Sequence, residues 1–329
     1  MCIRDSEKTD PRRHHLVVLN TVSALRGLWS DVWGLGRMQY ILTNTLSSLL
    51  YYEHATLLGV NRMLADKPFR RKVLARVKDP ILLSFWNLEF ERYDSRLKAE
   101  AVAPIQNKVG QFATTRMTRN ILGQAHNAID FRSVIDRGQV FIANLSKGAM
   151  GEDNSRLIGS LLVAQFQLAA LSRADIREDE RRPFYLYIDE FQNFTNVASL
   201  ASILSEARKY RLALTLAHQY TAQLGEALRS AVFGNVGTIL CMRIGFEDAR
   251  LLSEQLDPLA PHSLTELDPH RAWVRRLCGG TMLEPTFAEL CRPATPRWGR
   301  AVKVLGESRR KFATPREIVE RNIATWLAH

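Results

Sequence analysis

The run Phe184-Tyr185-Leu186-Tyr187-Ile188 ends in Asp189-Glu190-Phe191, and no other stretch limits the fold of this chain as tightly. Five apolar, β-prone residues without a polar break suit a strand of a parallel sheet, expected to be buried on both faces. The acids come only at its carboxyl end. In open α/β sheets that edge is where ligands bind, in the crevice outside the strand ends. The stretch is therefore expected to deliver two carboxylates to a ligand site. A plain strand followed by a solvated Asp-Glu turn is the competing reading.

The flanking sequence supplies the rest of such a sheet, but only on one side. From His15 to Asp130 apolar residues recur at helical spacing, first at Leu25, Leu28, Trp29, Val32 and Trp33, then at Met38, Ile41, Leu42, Thr45, Leu46, Leu49 and Leu50. Asp66-Lys67-Pro68 and Asp79-Pro80 are helix starts, because an acid accepts the first free N–H groups and the proline has no N–H to leave unpaired. Residues 13–130 are expected to form an all-α domain whose aromatic stripes are core. The character then changes. Gly138–Leu145 reads as a short strand, Asn154–Leu171 as a long amphipathic helix and Arg173–Arg182 as an exposed charged linker. After the acidic strand come a helix (Val197–Lys209), a strand (Leu212–Ala217), a helix (Ala222–Val232), a strand (Val236–Met242) and a helix (Glu247–Leu256). Ala272–Leu277 and Pro285–Leu290 read as closing strands. This alternation predicts a parallel sheet with helices on both faces over residues 131–292. Residues 293–329 are expected to be a basic tail with an amphipathic helix from Pro315 to Leu327. Residues 1–12 begin with Met1-Cys2-Ile3-Arg4-Asp5-Ser6, which resembles a translated sequencing-adaptor scar, and are expected to stand outside the fold.

Charge points to the partner. Lys and Arg number 45 against 34 Asp and Glu, a formal charge of +11, and the basic residues cluster at Arg12-Arg13, Arg70-Arg71-Lys72, Arg181-Arg182, Arg275-Arg276 and Arg309-Arg310-Lys311. Such clusters attract a polyanion, with nucleic acid as the leading candidate and a solubilising surface as the alternative. The four cysteines, Cys2, Cys241, Cys278 and Cys291, form no CxxC and no short Cys/His ligand spacing, so the sequence indicates neither a zinc site nor a disulfide framework. No run approaches the ~20 apolar residues of a membrane span.

Hydrophobic residues followed by Asp-Glu form the Walker B pattern of nucleotide-hydrolysing P-loop proteins, in which the first acid helps hold Mg²⁺ and the second orients or polarises water. The partner loop, GxxxxGK[ST], is absent from all 329 residues. Lys147-Gly148 follows the expected strand at Gly138–Leu145, but the glycines that would let backbone N–H groups wrap a phosphate are not spaced before it, so it reads as a strand-to-helix turn. Downstream, Leu212–Ala217 leads into His218-Gln219. An amide at the tip of the strand beside the acidic one can hydrogen-bond a terminal phosphate or the attacking water; a surface glutamine is the bland alternative.

Together, Phe184 to Phe194, the Arg208-Lys209-Tyr210 step and Ala217-His218-Gln219-Tyr220 resemble the type IV secretion coupling-protein family, the TraD/VirD4-like conjugative DNA-transfer ATPases related to the HerA and FtsK motors. Asn144-Leu145-Ser146-Lys147-Gly148 and Gly234-Asn235-Val236-Gly237-Thr238 fit the same family, and the resemblance runs from about residue 13 to about residue 290. It implies an α/β, RecA-like P-loop NTPase sheet without its first strand and P-loop, preceded by the family's all-α domain. It implies ATP and Mg²⁺ as cofactors, DNA as substrate, assembly into a ring, expected to be a hexamer, and secretion or DNA-processing components as partners. Asp189 would hold Mg²⁺, Glu190 would polarise water and Gln219 would sense the phosphate. Arg208, nineteen residues beyond Asp189, would be the finger that reaches a neighbouring subunit's nucleotide, with Arg211 and Arg243 as rival fingers. Surface salt bridges are the bland reading of all three arginines.

The resemblance further implies that these residues are the C-terminal two-thirds or so of a longer chain, with the phosphate loop and a membrane segment lying upstream. The chain itself would be cytoplasmic at the inner membrane and, taken alone, inactive as an ATPase. Two other readings stand beside DNA translocation for conjugation. One is a non-catalytic DNA-binding or docking module, and the other is a HerA-type motor for DNA-end processing.

Overall fold

The computed structural model describes residues 14–28, 36–53, 55–194, 197–292, 294 and 299–328. The expectations for residues 1–12 and for Trp29, Val32 and Trp33 lie outside the described residues. Two compact units divide the chain, one reaching to Arg182 and resuming at Val304, the other running from Pro183 to Lys303.

The first unit is helical: α1 (His14–Leu28), α2 (Gly36–Leu49), α3 (Gly59–Ala65), α4 (Lys67–Leu74), α5 (Pro80–Ser84), α6 (Ser95–Thr114), α7 (Arg116–Leu122), α8 (Phe131–Asp136), α9 (Lys147–Met150) and α10 (Glu152–Leu171). The start signals at Asp66 and Asp79 work as the sequence predicts, and Asp94 caps α6 in the same way. Asp66 accepts the Phe69 N–H at 3.0 Å, Asp79 the Ile81 N–H at 2.8 Å and Asp94 the Leu97 N–H at 2.8 Å. Each bond supplies a partner for an N–H that the first helical turn leaves free. The buried stripe Ile41, Leu42, Leu46 and Leu49 of α2 packs with Val60, Met63, Phe69, Val73, Trp86 and Phe90. Two large polar side chains inside this core are paired: Trp86 Nε1 donates to Ser48 Oγ at 2.8 Å, and Arg70, whose side chain is buried, donates to the Met63 carbonyl and to Glu91.

The expected boundary near residue 130 moves to Arg182/Pro183. The reason is α10, which lies against α1 and buries Leu157, Ile158 and Leu161 in the same core as Val18, Val22 and Leu25. By length and composition the segment Glu152–Asp175 could cross a bilayer, yet two-thirds of its apolar window is buried, so its apolar faces are accounted for by helix packing. A polar knot closes the unit. Arg132 grips Asp175 with two bonds at 3.0 and 2.7 Å and reaches Asp136 at 3.1 Å, while the buried Arg173 pairs with Asp136 at 2.9 Å and donates to the Arg182 carbonyl.

Gly138–Leu145 forms no strand. Phe141 turns inward onto Phe131 and Phe166, with ring centroids 5.7 and 5.4 Å away, whereas Val140 and Ile142 are exposed. The alternation is that of a strand, but no ladder partner is paired with it, and a strand exists only through its partner.

The second unit contains β1 (Phe184–Ile188), α11 (Val197–Glu206), β2 (Leu212–Leu216), α12 (Glu226–Phe233), β3 (Thr238–Cys241), α13 (Phe246–Gln255), α14 (His262–Thr265), β4 (Arg271–Cys278), β5 (Thr281–Met282) and β6 (Thr286–Glu289). β1 and β2 pair in parallel, from Phe184 opposite Leu212 to Ile188 opposite Leu216, with α11 as the crossover. The expected parallel pairing is seen in this pair, and the closing strands add antiparallel ladders. β3 and β6 flank β4, each antiparallel to it, and Cys241, Ala249, Leu252, Leu256 and Leu264 form a separate core beneath them. Among β4, β5 and β6 the turns are too brief for the crossover that parallel strands need. Burial on both faces of β1 is corrected too. Tyr185 is 63% and Tyr187 71% exposed, and their register partners Ala213 and Thr215 are exposed with them. Tyrosine tolerates this because its hydroxyl end stays in water while the ring covers the sheet.

The chain ends with α15 (Arg300–Phe312) and α16 (Arg316–Ala328), so the tail is more ordered than a single helix. α16 belongs to the helical unit. The Arg62 guanidinium lies between the rings of Phe69 and Trp326, at 4.3 and 4.8 Å, and Arg116 clasps Glu320 with bonds of 2.6 and 2.7 Å. That clasp, with Arg116 the main cause, holds the Glu320 carboxyl down at about 2.

Candidate functional site

Local structure brings Asp189 and Glu190 to the tip of β1. The ladder continues one bond past β2, where the Ala217 N–H donates to the Ile188 carbonyl at 3.0 Å. The chain then turns sharply. Glu190 occupies the left-handed region, at φ 49° and ψ 45°, and the next N–H, that of Phe191, returns to the Ala217 carbonyl at 3.2 Å. A left-handed glutamate costs on the order of 1 kcal/mol against glycine, so something must hold it. Phe191 does so: it is fully buried and meets the edge of His218 at 5.5 Å, anchoring the turn from below. Asp189 Oδ1 accepts the Glu190 N–H at 3.0 Å, which orients the first acid, and Asn193 donates its N–H and side-chain amide to the Glu190 carbonyl.

The Glu190 carboxylate is held at both oxygens. Gln219 Nε2 donates to Oε1 at 2.6 Å, and Gln192 Nε2 donates to Oε2 at 2.7 Å. Parallel pairing makes the first bond possible, since strands running the same way present their carboxyl ends side by side. Gln192 also donates to Gln223 Oε1 at 3.1 Å. Gln223 belongs to the turn Thr221–Gln223, and Asp248 of α13 secures this turn by accepting both the Thr221 N–H, at 3.0 Å, and the Thr221 hydroxyl. His218 lies inside the same cluster. Burial pushes its imidazole below the usual value, against the opposing pull of Asp248 and Glu190. Nearby, burial also pushes the Cys241 thiol up to about 11, which keeps it protonated and unreactive at neutral pH.

The structure thus joins three of the sequence candidates, Asp189, Glu190 and Gln219, in one cluster. Arg208 stands in the 3₁₀ turn Ala207–Tyr210 ahead of β2, exposed, and among the described residues it makes no ion pair with Asp189 or Glu190. Arg211 takes a left-handed conformation, φ 56°, directly before β2, and Arg243 is exposed beyond β3. Lys147 opens α9 and reaches Glu152 at 3.4 Å, in keeping with a turn and not a phosphate loop. Sequence reasoning missed Gln192, Gln223, Thr221 and Asp248. Of these, Gln192 lies within the Phe184–Phe194 stretch and Thr221 directly follows Ala217–Tyr220, but residue type alone assigned neither a part in the site.

No cluster of three metal-ligating side chains occurs among the described residues. Mg²⁺ bound with a nucleotide needs only one or two carboxylates and takes its remaining oxygens from phosphates and water. The exposed Asp189 carboxylate is a donor of this kind.

Residues 183–257 match the family model described as the TraM recognition site of TraD and TraG, and this segment contains the whole cluster. No curated protein matches the chain. Among solved structures, the plasmid coupling protein TrwB in complex with ADP and Mg²⁺ is 14% identical with a TM-score of 0.63, covering 90% of this chain and 72% of TrwB. TrwB with a non-hydrolysable ATP analogue is 15% identical with a TM-score of 0.62, over 88% of this chain and 70% of that one. An unbound form of the conjugative coupling protein TrwBΔN70 is 13% identical with a TM-score of 0.59, over 90% and 75% of the two chains. At such identities the likeness establishes the fold, the α/β RecA-like architecture with its helical N-terminal region. With that fold in place and residues 183–257 matching as they do, the chain is similar to the type IV secretion coupling proteins in this segment and shares the fold of TrwB.

Proposed function

We propose that this chain carries the water-activating half of a nucleotide site that drives DNA through a ring-shaped coupling protein. The observation that carries the reading is the 2.6 Å bond from Gln219 to Glu190, which links the tips of two adjacent parallel strands where a nucleotide's terminal phosphate would lie. TrwB, which shares the fold, was solved with ADP and Mg²⁺ and with an ATP analogue.

In this reading Asp189 holds the Mg²⁺ that accompanies ATP and supplies charge neutralisation at the phosphates. Glu190 orients and polarises the attacking water, and Gln219 reports whether a terminal phosphate is present. Arg208, exposed and free of an ion pair to the acids, reaches the nucleotide of the neighbouring subunit in a hexameric ring. A guanidinium there offsets charge on the transferred phosphoryl oxygens, worth ~10³–10⁵ in rate in related NTPases. The excess of 45 basic over 34 acidic residues suits movement along a phosphate backbone without reading base sequence. Recognition of a TraM-like relaxosome protein belongs to the same segment, 183–257.

A second reading, a docking module without catalysis, is favoured by one observation: no GxxxxGK[ST] loop occurs in the sequence. The two are separated by DNA-stimulated ATP hydrolysis, measured for the chain alone and joined to an upstream segment bearing such a loop. Translocation predicts activity in the joined form that E190Q and R208A abolish, with mixed rings of the two variants regaining part of it. Full activity in both variants would remove the site assignment, and salt-sensitive DNA binding with no hydrolysis in either form would favour docking.

A further inference from the structure

We propose that Gln192 is a positioning residue for Glu190: it holds one carboxylate oxygen fixed while Gln219, on the other oxygen, exchanges between Glu190 and the nucleotide. The inference rests on the reading of Glu190 as the group that orients water.

The two amides that grip Glu190 differ in everything but chemistry. Gln219 is exposed three residues beyond β2, and among the described residues its side-chain amide bonds Oε1 alone, so it can leave without disturbing another contact. Gln192 is half-buried and uses both of its N–H donors, one for Glu190 Oε2 at 2.7 Å and one for Gln223 Oε1 at 3.1 Å. Its orientation is fixed by its partners. Turning the amide over would set its oxygen against a carboxylate and a carbonyl oxygen, two acceptors with no proton between them. Gln192 keeps this orientation although its own Oε1 is buried without a hydrogen-bond partner. An unpaired buried acceptor is unfavourable, and an apolar side chain of the same shape would avoid it, so packing alone does not account for a glutamine here. The two donated bonds do.

Behind Gln192 stands a rigid support. Gln223 is the last residue of the turn that Asp248 secures through Thr221, so the chain Asp248, Thr221, Gln223, Gln192, Glu190 runs from α13 to the catalytic tip of β1. If Gln219 moved to a phosphate and Glu190 had no other partner, the left-handed turn would leave its carboxylate free to rotate. Gln192 removes that freedom. Water would then be oriented against a fixed acid at the moment the sensor responds, which is where positioning contributes to rate.

Two measurements decide this. In ¹H–¹⁵N spectra of the chain without nucleotide, the side-chain amide signals of Gln192 and Gln219 are identified with Gln192→Met and Gln219→Met, shape-conserving changes that remove the donors. Glu190→Gln is expected to shift both signals, and Gln223→Leu to shift that of Gln192 alone. A Gln192 amide signal unmoved by Glu190→Gln overturns the proposal, whatever the chain does with ATP. In the DNA-stimulated, loop-bearing form, Gln192→Met is expected to lower kcat about tenfold with KM within about twofold, and to have no further effect in the Glu190→Gln background. An unchanged kcat, or additive losses in the double variant, also overturns it. Absence of hydrolysis in the unaltered protein would instead refute the reading of Glu190 as the water-orienting acid, and the amide signals would still decide whether Gln192 holds it.

Discussion

Replacing Asp248 with alanine tests whether the cluster is braced from behind. Asp248 Oδ1 accepts two hydrogen bonds from one residue, Thr221, which is itself buried. Bonds to a charged acceptor contribute about 1.5–3 kcal/mol each, and a buried donor left without a partner costs about 1–3 kcal/mol. The Thr221 hydroxyl can rotate toward another acceptor, but its N–H is fixed by the backbone, so D248A is expected to lose about 3 kcal/mol. Asn at 248 keeps an acceptor oxygen in place and gives up only the charge, so D248N should lose about 1 kcal/mol. For a unit of this size these values correspond to drops in Tm of roughly 10 °C and roughly 3 °C. Calorimetry of the whole chain reads them, because two compact units can unfold in separate transitions and only the one containing residues 183–303 should move. The pair must also be coupled: Thr221→Val added to D248A should cost much less than Thr221→Val alone. A D248A midpoint equal to that of the unaltered chain, or additive losses in the double variant, would refute the brace and remove the support assigned to Gln223.

His218 and Arg173 give two further tests. Burial lowers the His218 pKa in the folded chain from its usual 6.5, so the unfolded chain takes up the proton first as pH falls. The stability it contributes is complete above about pH 6.5 and is lost as pH falls from there through the lowered folded value; denaturant midpoints at about pH 7.5 and about pH 5.5 should differ by less in His218→Asn than in the unaltered chain. In the helical unit, Asp136→Ala removes the ion pair that Asp136 makes with the buried Arg173 guanidinium, whose side chain is 1% exposed, and should cost about 3 kcal/mol or more. Arg173→Met, which removes the charge together with the need to pair it, should cost less by urea denaturation, and the reverse order would refute the account.

The fold was legible where a signal is local. β1 spans the five apolar residues ahead of the acids, β2 begins at Leu212 as read, and the caps at Asp66 and Asp79 do what their residue types permit. What a sequence does not state is which strand another strand pairs with. The run Val140-Phe141-Ile142 has the pattern of a strand and becomes none, because Phe141 finds its partners in Phe131 and Phe166 and no ladder forms beside it. β3 was read as a strand but not its antiparallel pairing, because its partner β4 is built from residues about thirty positions later, after α13 and α14. The division into units depends on packing. The charged step at Arg173–Arg182 was visible, but that α10 would be buried against α1 depends on which apolar face meets which, a property of two distant segments at once.

The same distinction separates the parts of the site. Asp189 and Glu190 are contiguous with a strand, and Gln219 follows the next one by three residues, so strand order brings them together once the pairing is parallel. Gln192 and Asp248 carry no such mark. Gln192 follows Glu190 by two residues, which in an extended strand would place it on the same face; it reaches the carboxylate because Glu190 turns left-handed and Phe191–Asn193 wraps into a 3₁₀ turn that folds the chain back. Asp248, at the start of α13, has the look of an ordinary acid near a helix N-terminus, where the dipole favours negative charge. What distinguishes it is that its oxygen is spent on Thr221, across the unit and 27 residues away in the chain. The residues that perform chemistry in this reading were therefore visible from motif and spacing, while those that hold them still emerge only from backbone conformation. The left-handed Glu190 is the point where the two meet. Its strain places the acid, and the glutamines on its two oxygens keep it there.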